Sequence, residues 1–175
     1  MVQLNIGGLV LGSKPVIKSI QYGSVTVDAA TGTAAINAVD TDNSVVMYLG
    51  YTDSGDITDG DGYTYVELTD STTVTGTRDG TGDVVTVNFV VIEFASGILK
   101  SRQVGLITIT SKSNTATIDA VDTNKAVIFW QGFKADDHDI DETVLITLTN
   151  STTVTASTDS SLNDATIPYT VMEFF

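Results

Sequence analysis

Leu68-Thr69-Asp70-Ser71-Thr72-Thr73-Val74-Thr75 returns eighty positions later as Leu148-Thr149-Asn150-Ser151-Thr152-Thr153-Val154-Thr155. Each copy is two short β-prone runs around a polar turn. The first reads as strands Tyr63–Thr69 and Thr72–Thr77 around a tight Asp70-Ser71 turn. Working outward, Val91-x-Glu93-Phe94 recurs as Val171-x-Glu173-Phe174, also offset by 80. On the other side the offset becomes 82: Ala38-Val39-Asp40-Thr41 recurs as Ala120-Val121-Asp122-Thr123, and Lys18-Ser19-x-Gln21-x-Gly23 as Lys100-Ser101-x-Gln103-x-Gly105. The chain is one unit written twice. The two-residue change falls between Tyr51 and Leu68, where the first copy has the longer polar loop, as insertions favour loops. The organisation that follows is an N-terminal arm at 1–16, a first repeat at 17–94, a linker at 95–98 and a second repeat at 99–175.

The residue types point to sheet. Thr is the most frequent residue at 28, with 21 Val and 14 Ile, and β-branched side chains suit a pleated surface. No run of ten or more residues carries a helical apolar period with caps. The first repeat divides into six strands: Ser19–Val27, Thr33–Val39, Ser44–Tyr51, Tyr63–Thr69, Thr72–Thr77 and Val84–Phe94. Ser44–Tyr51 is apolar on both faces, and its counterpart in the second repeat is Ala126–Phe133. The expected fold is all-β, a tandem duplication of a small antiparallel, Ig-like β-sandwich with about six strands per copy, preceded by an extended arm. Pro168 stands where the first copy has Asn88 and lacks a ladder donor, so that segment is expected at an edge or a bulge. A unit of this size buries little apolar surface alone, so the two copies are expected to pack on each other, and an oligomer would add stability.

Composition excludes several classes. Eight Lys+Arg against 22 Asp+Glu leaves a net charge of −14, the wrong sign for a phosphate-binding surface. Without cysteine there is no disulfide, thiolate zinc site or Cys nucleophile, and His138 is the one histidine. The N-terminus lacks a basic n-region and its apolar run is broken by Gly7-Gly8, which argues against a signal peptide and for synthesis in a host cytoplasm. No apolar run reaches the ~20 residues of a membrane helix, so no membrane insertion is expected.

The pattern Ser19-Ile20-Gln21-x-Gly23-x-Val25-x-Val27, then Ala38-Val39-Asp40-Thr41, then Leu68-Thr69-x-Ser71-Thr72-Thr73-Val74-Thr75, then Val87-x-Phe89-x-Val91-x-Glu93-Phe94 resembles a module of tailed-bacteriophage and prophage virion proteins. These are β-sandwich structural parts of the capsid-decoration, head-fibre and tail-associated kinds. The resemblance spans nearly the whole chain. It implies a non-enzymatic virion protein on the particle exterior, most readily a capsid decoration, with coat or tail subunits as partners. One departure is the basic residue after the Thr-rich strand, present as Arg78 but replaced by Thr158 in the second copy.

The candidate sites are few. Asp53-Ser54-Gly55-Asp56-Ile57-Thr58-Asp59-Gly60-Asp61-Gly62 offers Asp56, Asp59 and Asp61 as calcium ligands, since Ca²⁺ takes six to eight oxygens and Gly turns bring carboxylates together. The full spacing of an EF-hand is missing, and the competing reading, a solvated acidic turn with no cofactor, is the one carried forward. The equivalent loop, Asp136–Glu142, surrounds His138 with carboxylates that favour its charged form. It sits beside no recognisable nucleophile. Glu93 and Glu173 are duplicated with the scaffold and read as structural. Tyr48 and Trp130 lie on strands, where they fill a core or an interface. The arm carries Val2, Leu4, Ile6, Leu9, Val10 and Leu11 as candidate partner-binding residues, able to add a strand to a neighbouring subunit. The alternative function is a tail-associated adhesin that grips surface glycan through loops near 52–63 and 134–142.

Overall fold

A computed structural model describes residues 5–6, 9–10, 15–53, 63–80, 84–135, 143–158 and 165–175. Two short strands, β1 (Asn5–Ile6) and β2 (Leu9–Val10), pair antiparallel in the leading segment. The first repeat then supplies β3 (Ile17–Val27), β4 (Thr31–Ala35), β5 (Ser44–Asp53), β6 (Thr64–Asp70), β7 (Thr73–Arg78) and β8 (Val85–Phe94). The second supplies β9 (Leu99–Ile109), β10 (Ser113–Thr117), β11 (Ala126–Trp130), β12 (Val144–Asn150), β13 (Thr153–Thr158) and β14 (Ala165–Phe174). A 3-10 turn at Thr41–Asn43, capped by Asp40, leads into β5. Among the described residues the chain is all-β, with six strands to each copy, as the repeat predicts.

Each copy forms two three-stranded sheets, ordered β3-β8-β5 and β4-β7-β6 in the first and β9-β14-β11 and β10-β13-β12 in the second. The second, fourth and fifth strands share one sheet and the third and sixth share the other, as B, E, D and C, F do in an immunoglobulin sandwich; the first strand lies beside the sixth, where strand G would be. Alternate residues point inward from both sheets. Val25 and Val27, Val46, Val66, Val74, and Val87 with Phe89 and Val91 form the first core, and Ile107, Ile109, Val154, Ile167 and Val171 lead the second.

Three devices appear in both copies. Gly23 pairs with Phe89 across the ladder and Gly105 with Tyr169. A Cβ on Gly23 would lie 2.5 Å from Phe89 Cζ, and one on Gly105 the same distance from the Tyr169 hydroxyl, so the aromatic ring fills the space that the glycine leaves. The Gln21 amide donates to the Asn37 carbonyl (3.0 Å) and accepts from the Asn37 N–H (2.7 Å); Gln103 does the same with Asp119. In this way a side chain supplies the two bonds that a neighbouring strand would make. The hairpins turn at Ser71-Thr72 and Ser151-Thr152. There Asp70 and Asn150 accept from the N–H of Thr72 (2.7 Å) and Thr152 (2.9 Å). This corrects the expected turn by one residue, because Thr69 bulges between Leu68 and Asp70 and shifts the pairing.

Two further expectations are revised. β14 is the central strand of its sheet, not an edge, and Pro168 pairs with Leu106 on β9. On the other side Thr166 exchanges both backbone bonds with Lys134 (3.0 and 2.8 Å). Ladder bonds alternate sides, so the N of Pro168, two residues on, faces that same partner strand. There β11 has already ended, at Trp130 opposite Tyr169. The proline occupies a gap in one ladder of a central strand, and for the same reason β11 ends at Trp130 and not at Phe133. In the first copy, with Asn88 at this place, β5 stays paired to β8 through Asp53.

Candidate functional site

The two duplicated carboxylates are buried structural anchors. Glu93 accepts from Lys18 Nζ (2.7 Å), Ser19 Oγ (3.0 Å) and the Asp40 N–H (2.9 Å). Glu173 accepts from Lys100 Nζ (2.8 Å), the Asp122 N–H (2.9 Å) and, longer, Ser101 Oγ (3.5 Å). Burial pushes the Glu93 carboxyl up, but the bonds from Lys18, Asp40 and Ser19 outweigh it and hold its pKa below the ordinary value. Glu173 is also held low, by the bond from Lys100 and then the one from Asp122. Each carboxylate ties the first strand of its repeat, the sixth strand and the loop after the second strand into one knot.

The two sandwiches meet in a joint whose sides differ. The first contributes the edge formed by β5 and β6, and the second the outer face of β9-β14-β11. Gln131 follows the end of β11 and, like its counterpart Leu49 in the bulge between Tyr48 and Gly50, stands out of the ladder, so it serves the joint. Its carbonyl accepts from the Val66 N–H (2.9 Å), its Nε2 donates to the Val66 carbonyl (3.1 Å), and its Oε1 accepts from Thr170 Oγ1 (2.9 Å). Gly132, at φ +85°, bridges to Tyr65; a Cβ there would lie 2.4 Å from the Thr64 carbonyl oxygen. Arg102 Nε donates to the Ser44 carbonyl (2.7 Å), and Lys134 pairs with Asp79 (2.8 Å). Val45, Phe94 and Met172 form a small core of their own, with Phe94 and Phe174 edge to face at 5.4 Å. Tyr63 stacks on Phe133 at 4.5 Å, and burial pushes the Tyr48 hydroxyl up to about 12.

Beside the joint lies an open cleft of about 770 Å³ between the β6–β7 turn and the outer face of the second sandwich. Glu67, Thr69 and Asp70 line one wall; Val104, Leu106 and Pro168 line the other. Glu67 is half-buried, and that burial raises its pKa. Its counterpart in the second repeat is Thr147, so this carboxylate belongs to the cleft and not to the repeated scaffold.

A second surface is the outer face of β3-β8-β5, where Ile20 (48% exposed), Tyr22 (76%) and Leu49 (52%) stand beside Val90 and Ile92. The equivalent face of the second sandwich is the one the joint covers.

Sequence reading placed Glu93 and Glu173 correctly, and Tyr48 and Trp130 pack on the two cores. Asp56, Asp59, Asp61 and His138 lie outside the described residues. So do Val2, Leu4 and Leu11, while Ile6, Leu9 and Val10 fall on β1 and β2. Among the described residues no group of three or more acidic or histidine side chains is placed to hold a metal, and no helix is long and apolar enough to cross a membrane. Arg78, the basic residue singled out for lacking a counterpart, is buried and donates from Nε to the Ala29 carbonyl (3.1 Å). The residues that sequence reading missed, Gln131, Arg102, Glu67 and Thr170, share one signal. Their partners in the other repeat are Leu49, Ile20, Thr147 and Val90, so polar in one copy faces a different chemistry in the other. Comparison with known proteins finds no match for this chain among family models, curated proteins or solved structures.

Proposed function

We propose that the chain is a non-enzymatic structural protein of a bacteriophage virion, displayed on the particle exterior as a capsid decoration and anchored by its N-terminal arm and subunit interfaces. The observation that carries this reading is where the duplicated polar groups go. Glu93 and Glu173, Lys18 and Lys100, and Gln21 and Gln103 all bind the scaffold itself. Such groups build a stiff object, and stiffness serves a clamp that acts by binding the assembled state more tightly than its free subunits. The strongly acidic exterior suits a crowded array that must stay soluble. The test is co-sedimentation of the purified chain with assembled shells and with free coat subunits. Retention on shells alone, with density for two sandwiches on the outside of the particle, is expected; retention by neither, or density inside the tail, overturns the decoration. Removing residues 1–16 should leave the fold intact and abolish attachment.

A second reading has its own observation. The cleft sets the Glu67 carboxylate and the hydroxyls of Thr69 and Ser71 against an apolar wall, an arrangement that suits a sugar. A glycan array probed with the chain and with Glu67→Gln decides it: binding that the substitution removes favours an adhesin, and a blank array rejects it.

A further inference from the structure

The intrachain joint is heterologous, and one chain uses only half of each kind of surface. The first sandwich spends its β5–β6 edge; the equivalent β11–β12 edge of the second is open. The second sandwich spends its outer face; among the described residues the equivalent face of the first is open at Ile20, Tyr22 and Leu49, while its Ile92 and Phe94 end already packs in the joint. Burial records the difference position by position. Val45 is fully buried while Val127, its repeat partner, is 46% exposed, and Tyr65 is 6% exposed while Leu145 is 64% exposed. At the receiving end, Gly132 is packed against Thr64 and Tyr65, whereas Gly50, at φ +109°, has open space where its Cβ would be.

We propose that copies of this chain join head to tail, the β12 edge of one molecule docking on the outer face of β3-β8-β5 in the next and repeating the joint already inside each chain. Leu145 takes the place of Tyr65 and meets the open side of Gly50. Val127 takes the place of Val45. Ile20 and Leu49 receive them where the filled joint has Arg102 and Gln131. The open surfaces are the more apolar pair: the receiving face replaces a guanidinium and an amide by aliphatic groups, and the docking edge replaces Glu67 by Thr147. Substitutions on both sides thus agree, since an edge without the carboxylate meets a face without the polar groups. An interface whose two sides differ does not close on itself in a pair, so it propagates into a ring or a filament. This inference names a second copy as the partner and stands whether or not the virion reading does.

The experiment is sedimentation velocity with native mass spectrometry on the full chain, over a concentration series reaching about 1 mM, the weak end of specific association. A ladder of multiples of the 18.4 kDa chain is expected. Leu145→Glu on the edge and Leu49→Glu on the face should each weaken assembly by about tenfold or more, with unchanged circular dichroism and melting showing that both still fold. Mixed in equal amounts, the two variants should form a dimer that grows no further, because each keeps the surface that the other has lost. A wild-type chain monomeric throughout the series overturns the proposal. So does a species that stops at two, or assembly that survives both substitutions but vanishes when residues 1–14 are removed, which would make the leading segment the occupant.

Discussion

Glu93 shows what a single side chain settles in this fold. Its folded pKa is lowered, so its contribution to stability is present above roughly pH 4–5, the ordinary carboxylate range, and is lost as pH falls through the lowered folded value. Lys18, whose pKa the bond to Glu93 raises, keeps its contribution at neutral pH and loses it only as strongly alkaline pH passes the raised folded value. Glu93→Gln should therefore lower the melting midpoint at pH 7 and flatten its acid dependence, which melts at pH 3 to 7 check; an unchanged acid limb would show that other groups control it. The paired glycines separate backbone strain from packing. Gly50→Ala costs the strain of a positive φ, about 1–2 kcal/mol, because nothing stands within 4 Å of the added carbon. Gly132→Ala adds a collision with the Thr64 carbonyl and should cost clearly more, as chemical denaturation of the two variants side by side would measure. Glu93 was legible in the sequence because it is duplicated. The special standing of Gly132 was not, since Gly50 is identical in type and only a partner brought from far along the chain tells the two apart.

At the scale of the strand, apolar residues on both faces of β5 are explained by two cores: Val46 enters the sandwich and Val45 enters the joint. Sequence placed the six strands of the first copy because alternation and turn residues act locally, though it began β4 two residues late and ran it four too far. It misplaced β14 because a proline tells which donor is missing but not which neighbour would have used it. Pro168→Asn supplies that donor. It should let β11 extend along β14 as β5 does along β8, with Gln131 in the bulge that Leu49 occupies and Gly132 paired to position 168. Hydrogen exchange reads this directly: the new amide at position 168 should be protected while that of Tyr169 holds. An unprotected amide at position 168 would mean that the proline is not what ends β11.

For the whole molecule, the joint combines backbone bonds, a buried amide and an aromatic pair around the four-residue linker, whose turn uses Gly97 at φ +81°. Two units held this way should melt together. Calorimetry is expected to show one transition for the chain and, for Gly132→Val, two overlapping ones, as the sandwiches lose each other before either loses its core. The duplication itself was plain from the spacing of motifs. The joint was not, because similarity between repeats marks what each copy does for itself, and the joint lies where they disagree: Leu49 against Gln131, Ile20 against Arg102, Asn88 against Pro168.

The cations have a consequence for assembly. Lys18, Lys100 and Lys134 pair with carboxylates, and Arg78 and Arg102 with main-chain carbonyls, so five of the eight positive side chains bond within the chain. Neighbours that each carry −14, a sum that already counts all eight cations, repel one another. Added electrolyte, which shortens the reach of that repulsion to about 10 Å at 0.1 M, should lengthen the proposed head-to-tail assemblies, and dilution into low ionic strength should take them apart.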